Sequence, residues 1–419
     1  MSQTPDRQRF LPFRRRDVIE MCAGEGRLDE PATSEFRDLC RILEAVLHFE
    51  YHERLEALKD AYAPFNPDAD TRYLQVLDGA ERAERQRRLL VELRALLDAA
   101  NFEEVTERDL GVAFEAESLL EVRLHVDFDD FENVAFFRRG ETIRMATVSR
   151  LWGLWKREIE FRNYDRVVVY VRFRDAEHFA DRRSEELPFV PGSTVLKLFQ
   201  NVPRPDLEML FPNSEVRMRP VDRVMIGVPA VLSGVAVVLT KLLATVGLLL
   251  VLIGAWLGVS DRHVELDQSR LVAIGIGLGT LGAYLARQVS KFKSRKIRFM
   301  KTLTENLYFK NLDNDAGVFH NLLDSAEEEE HIETVLAYWF LLTEGPADAA
   351  ALDHHIETWL ADRWDCEVDF EVNDALAKLS RLGLATIDED RWHAVDLNTG
   401  KHQLDKTWDE YFTWNQAHR

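Results

Sequence analysis

The sequence predicts an α+β membrane protein, and three observations predict it. Two long apolar runs lie between Val224 and Ser290. Helical periodicity over the first hundred residues gives way to strand alternation after Asn101. The last hundred residues are helical and acidic and end in two short strands. This reading divides the chain into five parts: a helical N-terminal region (1–118), a small β-rich α+β domain (119–222), a two-helix transmembrane hairpin (224–289), a basic flank and linker (290–326), and an acidic winged-helix-like domain (327–419).

The N-terminal region reads as a helical hairpin. Phe36, Leu39, Leu43, Leu47, Leu55 and Leu58 form one stripe, and Leu74, Leu77, Leu90, Leu93 and Leu97 form another. The loop Ala63 to Asp70, with Pro64, Asn66 and Pro67, joins them, and Asp70 or Thr71 is the expected cap of the second helix. Arginines between Glu81 and Arg94 alternate with Glu81, Glu84 and Glu92, the pattern of a solvated face.

Strands are expected at Glu121–Asp127, Asn133–Arg139, Arg166–Phe173, Thr194–Phe199 and Glu215–Met218, making a small, mostly antiparallel sheet. Leu151, Trp152, Trp155 and Ile159 share a helical stripe, so Leu151–Ile159 is expected as a helix packed on that sheet.

The first apolar run, Val224 to Leu257, carries no charge except Lys241. Its helical length of about 51 Å, at roughly 1.5 Å per residue, exceeds a bilayer core of about 30 Å. One tilted or bent span over about 228–257 follows, with a second over 271–288. Arg287, Lys291, Lys293, Arg295, Lys296 and Arg298 follow the second run without any acid, whereas the connection Ser260–Arg270 is mixed. The positive-inside rule then places both termini in the cytoplasm of a multi-pass protein, with the bilayer as a partner and a bacterial inner membrane as the favoured site.

Gly277, Gly279 and Gly282 spell G-x-G-x-x-G, but no strand precedes them, so the nucleotide reading fails. Gly275, Gly279 and Ala283 instead form a small helix-packing face, for which Gly254 and Gly258 are a natural partner. Lys241, the one intramembrane charge, has no acidic partner in either span and reads as snorkelling.

The formal charge of −20 argues against a general nucleic-acid binder. From Glu327 to Asp396 nineteen acidic residues stand against Arg363, Lys378, Arg381 and Arg391, a balance of −15. Cys22, Cys40 and Cys366 are too far apart for a metal spacing and suit reduced thiols. Within the acidic part, helices at Glu327–Leu342, Ala347–Leu360 and Phe370–Leu382 precede strands at Leu384–Asp388 and Trp392–Val395, a winged-helix order. Its reading helix sets Glu371 and Asp374 against Lys378 and Arg381, which disfavours a phosphate backbone. Protein interaction, or packing onto the basic segment 287–301, is the role expected instead.

No catalytic constellation and no cofactor signature is legible. His48 and His52 have metal-ligand spacing, but Glu50 is out of place for a zincin. Asp127, Asp129 and Asp130 between two strands are the other weak metal candidates, and a solvated turn explains them as well.

Four motifs carry a family resemblance: Arg9–Asp17 (RFLPFRRRD), His48–Pro67 (HFEYHERLEALKDAYAPFNP), Lys197–Asn213 (KLFQNVPRPDLEMLFPN) and Leu307–Gly317 (LYFKNLDNDAG). In these the chain resembles a family of unknown function that includes mammalian transmembrane protein 143 and bacterial relatives. The resemblance implies a membrane hairpin in the second half and supplies no activity. The leading expectation is a membrane-anchored interaction or regulatory protein, working with a protein partner or as a homo-oligomer. A subunit of an oligomeric channel or transport component, motivated by Lys241, and a metal-dependent enzyme are the alternatives.

Overall fold

The computed structural model describes residues 8–69, 77–106, 108–111, 123–150, 155–180, 187–217 and 307–412, with scattered helical positions between 272 and 304. They fall into two compact units. One comprises Met1–Glu115, Phe128–Leu207 and Lys310–Arg419, the other Ala116–Asp127 and Glu208–Phe309.

In the first unit a short helix, α1 (Arg15–Gly24), leads into α2 (Glu30–Tyr62). Asp29 caps α2 by accepting from the Ala32 N–H, with Pro31 in the first turn where its missing donor is harmless. Phe36, Leu39, Leu43, Leu47, Leu55 and Leu58 are all buried, as the stripe predicts. α3 (Gly79–Ala99) begins later than expected, at a capping box in which Asp78 accepts from the Glu81 N–H and Glu81 reaches back to the Asp78 N–H. The expected caps Asp70 and Thr71 lie outside the described residues.

The strands are β1 (Glu103–Glu104), β2 (Arg123–His125), β3 (Phe131–Arg150), β4 (Trp155–Phe173), β5 (Thr194–Pro203), β6 (Glu215–Arg217) and β7 (Asn311–Asn314). β1, β3, β4, β5 and β7 form one five-stranded sheet in that order, every neighbouring pair antiparallel. Its register aligns Phe137 with Val168 and Leu198, and Ala135 with Tyr170 and Leu196. That face packs on Leu58, Tyr62, Leu93, Phe319 and Leu322. Val167, Val169 and Val171 on the alternate positions are buried too, which is why the centre of β4 reads as a continuous apolar run.

β5 pairs with β4 only from Asn163 to Arg172, so the outer part of the β3–β4 hairpin continues as a two-stranded ribbon. Residues 155–159, expected within a helix, belong to β4. The reason is geometric: Trp155 and Ile159 are four residues apart, a spacing that shares a face in a strand as well as in a helix.

The chain then enters α4 (Ala316–Glu344), α5 (Ala349–Trp364), α6 (Val372–Arg381), the hairpin β8 (Ala385–Asp388) and β9 (Arg391–Ala394), and α7 (Leu397–Glu410). Glu389 and Asp390, both at positive φ, make the tight turn between β8 and β9. α4 is buried on all sides over most of its length and packs on α1, α2, α3, α5 and α6. These helices and the N-terminal ones share one compact unit.

α7 shows how closely they approach. A Cβ on Gly400 would lie 2.8 Å from Leu39 Cδ1 and 3.3 Å from both Leu384 and the Tyr338 hydroxyl. Gly400→Ala is therefore expected to destabilise by about 1–3 kcal/mol despite the better helix propensity of alanine. Denaturant unfolding checks this, and an unchanged or raised midpoint would refute it.

In the second unit β2 and β6 pair antiparallel, with Leu124 opposite Val216, and the Asn213 side chain donates to the Asp127 carbonyl at 2.8 Å.

Two expectations are corrected here. Among the described residues no helix is long and apolar enough to cross a membrane. The described residues form a mixed α/β arrangement around a five-stranded antiparallel sheet, and they support neither the α+β membrane class nor the multi-pass placement in a bacterial inner membrane. The long helices that are described show why none of them could span a bilayer. α2 carries charges along its whole length, and α4 holds Glu327, Glu328, Glu329, Glu330 and Glu333 at its middle, so both solve their burial against protein. The stretch on which the hairpin was placed lies almost wholly outside the described residues. Gly254, Gly258, Gly275, Gly279, Lys241, Lys291, Lys293, Arg295, Lys296 and Arg298 are all outside them, whereas Ala283 and Arg287 are helical and exposed.

Candidate functional site

Two apolar cores run through the first unit, and α2 and α4 belong to both. One core holds Phe36 to Leu47 of α2 and Ile332 to Leu341 of α4. The other holds Tyr51 to Tyr62 and Val318 to Ala326. Between them α4 presents Glu327 to Glu330, His331 and Glu333. A helix advances about 100° per residue, so a run of acids this dense cannot point outward together. Glu327, Glu329, His331 and Glu333 are buried, at 5%, 2%, 0% and 3% exposure.

Each buried acid has its partners. Glu327 accepts from Arg15 Nη1 at 2.9 Å and contacts His48 Nδ1 at 3.0 Å. Glu329 accepts from the Leu11 N–H at 3.1 Å and from Asn101 Nδ2 at 3.0 Å. Glu333 accepts from the same Asn101 nitrogen at 3.1 Å and from Lys378 Nζ at 3.3 Å, while Lys378 also lies 3.4 Å from Glu330. Asn101 reaches this point from just beyond α3, at φ 57, a left-handed conformation that asparagine tolerates.

The Asn101 amide donates to a third oxygen as well, the Arg9 carbonyl at 3.2 Å. Two N–H bonds thus face three acceptors, so the cluster is short of a donor. Protonation of Glu329 or Glu333 lessens the shortfall by turning an acceptor into a donor. Burial pushes Glu329 up to about 8, against the lowering pull of the Leu11 N–H and Asn101. Burial likewise raises Glu333 to about 7, with Lys378 holding it down. Burial thus pushes both carboxyls from the usual carboxylate range toward neutrality.

His331 is different. Its Nε2–H donates to the Cys40 carbonyl at 3.1 Å, its Nδ1 is buried without a partner, and burial lowers its pKa, so it stays neutral.

An extended strap, residues 8–13, lies over this layer. The Asp369 N–H donates to the Gln8 carbonyl at 3.0 Å, and Gln8 Nε2 donates to the Glu141 carbonyl at 2.8 Å. Arg9 forms ion pairs with Glu371 and, at 3.5 Å, with Asp98. Phe10 and Phe102 flank the Arg139 guanidinium at 4.3 and 4.8 Å, and burial holds that guanidinium down to about 10. Leu11 is buried at 1% exposure. Beside the layer, a cleft of about 520 Å³ is lined by Tyr51, Glu53, Arg54, Glu92, Glu330 and Lys378.

The residues singled out from sequence are not brought together as a ligand set. His48 is committed to Glu327, and His52 is exposed. Asp129 and Asp130 lie in a single-turn helix, their carbonyls accepting from the Arg174 side chain at 2.9 Å and backbone N–H at 3.0 Å, and the Asp127 carbonyl is taken by Asn213. Among the described residues no group of three His, Cys, Asp or Glu is placed to hold a metal ion. The groups that sequence reasoning passed over are Leu11, Asn101, Arg139, Glu329 and Glu333, and it read Lys378 only as a cation of the reading helix. A signal was present: four glutamates and a histidine stand just ahead of Val335–Leu342, a run of the same helix with no charged residue on any face.

Over residues 164–317 the chain carries a domain that matches the family described as protein of unknown function (DUF3754). The match runs from Tyr164 in β4 to Gly317 in the first turn of α4, so the strap and the carboxylate layer lie outside it. No solved structure matches the chain.

Proposed function

We propose that the chain is an interaction or regulatory protein whose working part is a recognition groove. The observation that carries this is the strap itself, an extended segment held at backbone groups of Gln8, Arg9 and Leu11 and at the side chains of Arg9, Phe10 and Leu11. That is how peptide segments are recognised: main-chain hydrogen bonds hold the segment, and pockets for side chains select it.

A nucleic-acid role is disfavoured by the fate of the cations on α6. Lys378 is committed to Glu330 and Glu333, and Arg381 grips Glu50 at 2.6 and 2.9 Å. Phosphate contacts need free lysine and arginine. A family relationship wider than the matched domain, to the group that includes transmembrane protein 143 and bacterial relatives, is part of this reading. Its support is that the motifs Arg9–Asp17 and His48–Pro67 supply Arg9, Leu11, Arg15, His48 and Tyr62, all of which make the internal contacts described above or, for Tyr62, a 2.7 Å bond to Asp315.

Native mass spectrometry of the protein isolated from its own host tests the proposal. A complex of defined stoichiometry, with another protein or with a second copy of the chain and without a bound metal, is the expected result. A monomer carrying a stoichiometric metal ion would overturn it.

A further inference from the structure

We infer that the groove beneath the strap is a recognition site for an extended segment of arginine–aromatic–aliphatic chemistry, filled in cis by residues 8–13 and exchangeable with the same segment of a second copy of this chain. The inference deepens the interaction reading and rests on it. The site is built from four separate parts of the chain. Asp98 and Glu371 receive the arginine, Arg139 with Phe102 receives the aromatic ring, and Glu329 with Asn101 receives the backbone.

Two features make the occupant exchangeable. The strap's hydrogen bonds run to distant side chains and to the Asp369 and Glu141 backbones, so any segment of the same chemistry in the same pose meets the same donors and acceptors. Its link to α1 is a tight turn, the Phe13 N–H donating to the Leu11 carbonyl at 2.9 Å, so opening it unmakes no strand of the main sheet. Exchange of an identical element between protomers needs no new interface chemistry. The second copy is the occupant favoured because its strap carries the sequence already seen to fit.

The cis segment competes with any segment in trans at a high effective concentration, so loosening it should unmask the groove. The test uses the full chain and a fluorescently labelled peptide of residues 8–16. By fluorescence polarisation, Leu11→Asp protein binds the peptide at least about tenfold more tightly than the unaltered protein, because its own strap no longer competes. Leu11→Asp protein that keeps its circular dichroism and binds no peptide overturns the inference.

A second variant covers the case in which Leu11→Asp fails to fold. Glu371 and Arg9 are both about a quarter exposed, so Glu371→Arg reverses one contact without opening a core. That protein should prefer a peptide carrying Arg9→Glu over the unaltered peptide, and indifference to the charge at this position overturns the site. Mixing Arg9→Glu and Glu371→Arg proteins should give a dimer that neither forms alone, and continued absence of the dimer overturns the second copy as occupant. These readouts use purified components, so they can fail while a native hetero-complex is still found, and the reverse.

Discussion

Lys378→Met is expected to lower the free energy of unfolding by about 3–5 kcal/mol, the usual consequence of removing one partner from a buried charge pair. Lys378 is 12% exposed on its side chain and is the cation within 3.4 Å of both Glu330 and Glu333, the latter 4% exposed. Without it Glu333 keeps its burial and loses its main source of electrostatic relief. The carboxyl then stays protonated to higher pH, and the folded state loses the favourable pairing.

Urea unfolding at neutral pH measures the effect. The double variant Lys378→Met, Glu333→Leu should recover much of the loss, because replacing a whole buried pair with apolar groups is often near neutral. The contrast is Arg87→Ala, which breaks an exposed pair with Glu84 at 73% and 65% exposure. That change should move stability by less than about 1 kcal/mol. A Lys378→Met loss as small as that of Arg87→Ala would remove Lys378 from the role given to it.

Stability is expected to fall as pH rises from about 6.5 to about 8.5. The sign follows from the direction of the shifts. Glu329 and Glu333 are raised by burial from the usual carboxylate range to about 8 and about 7, so between those limits the folded state holds protons that the unfolded chain has released. Their contribution is fully present below the unfolded pKa and is lost as pH climbs through the folded values.

His331 works the other way. Its pKa is lowered by burial, so the stability it confers is present above the unfolded histidine value and is lost as pH falls below it. The two effects oppose each other between about 4.5 and 6.5, and above that the carboxyl pair acts alone. Thermal melts at closely spaced pH values should show a declining midpoint across the upper window. Glu329→Gln, which keeps an acceptor for the Leu11 N–H and cannot titrate, should flatten that decline. An equal slope in both proteins would exclude Glu329 as its source.

How far the sequence could be read depended on whether a residue's partner was near it in the chain. The stripes on α2, the centres of β3, β4 and β5, and the order of α4, α5, α6, β8 and β9 were legible because periodicity is local. The start of α3 was also available, in the box from Asp78 to Glu81, and was misplaced because an acid and a threonine occur earlier in the same loop. The strand at 155–159 was ambiguous in principle, since Trp155 and Ile159 satisfy both periods.

The candidate site was legible only as a charge run. From the amino acids alone, Glu327 to Glu333 read as part of an acidic surface, which is what most such runs are. Which of those carboxyls would be buried depended on the strap at Leu11, on Asn101, on Arg15 and on Lys378, groups separated from them by 45 to 318 residues. The membrane reading rested on apolar length, a quantity that counts residues and not neighbours, and the described long helices bury their apolar faces against protein. Local periodicity and capping chemistry thus determine the elements, because they act within a few residues. The carboxylate layer, the upward shift of its carboxyls and the groove beneath the strap belong to the tertiary structure, because burial is set by whatever packs against a side chain from elsewhere in the chain.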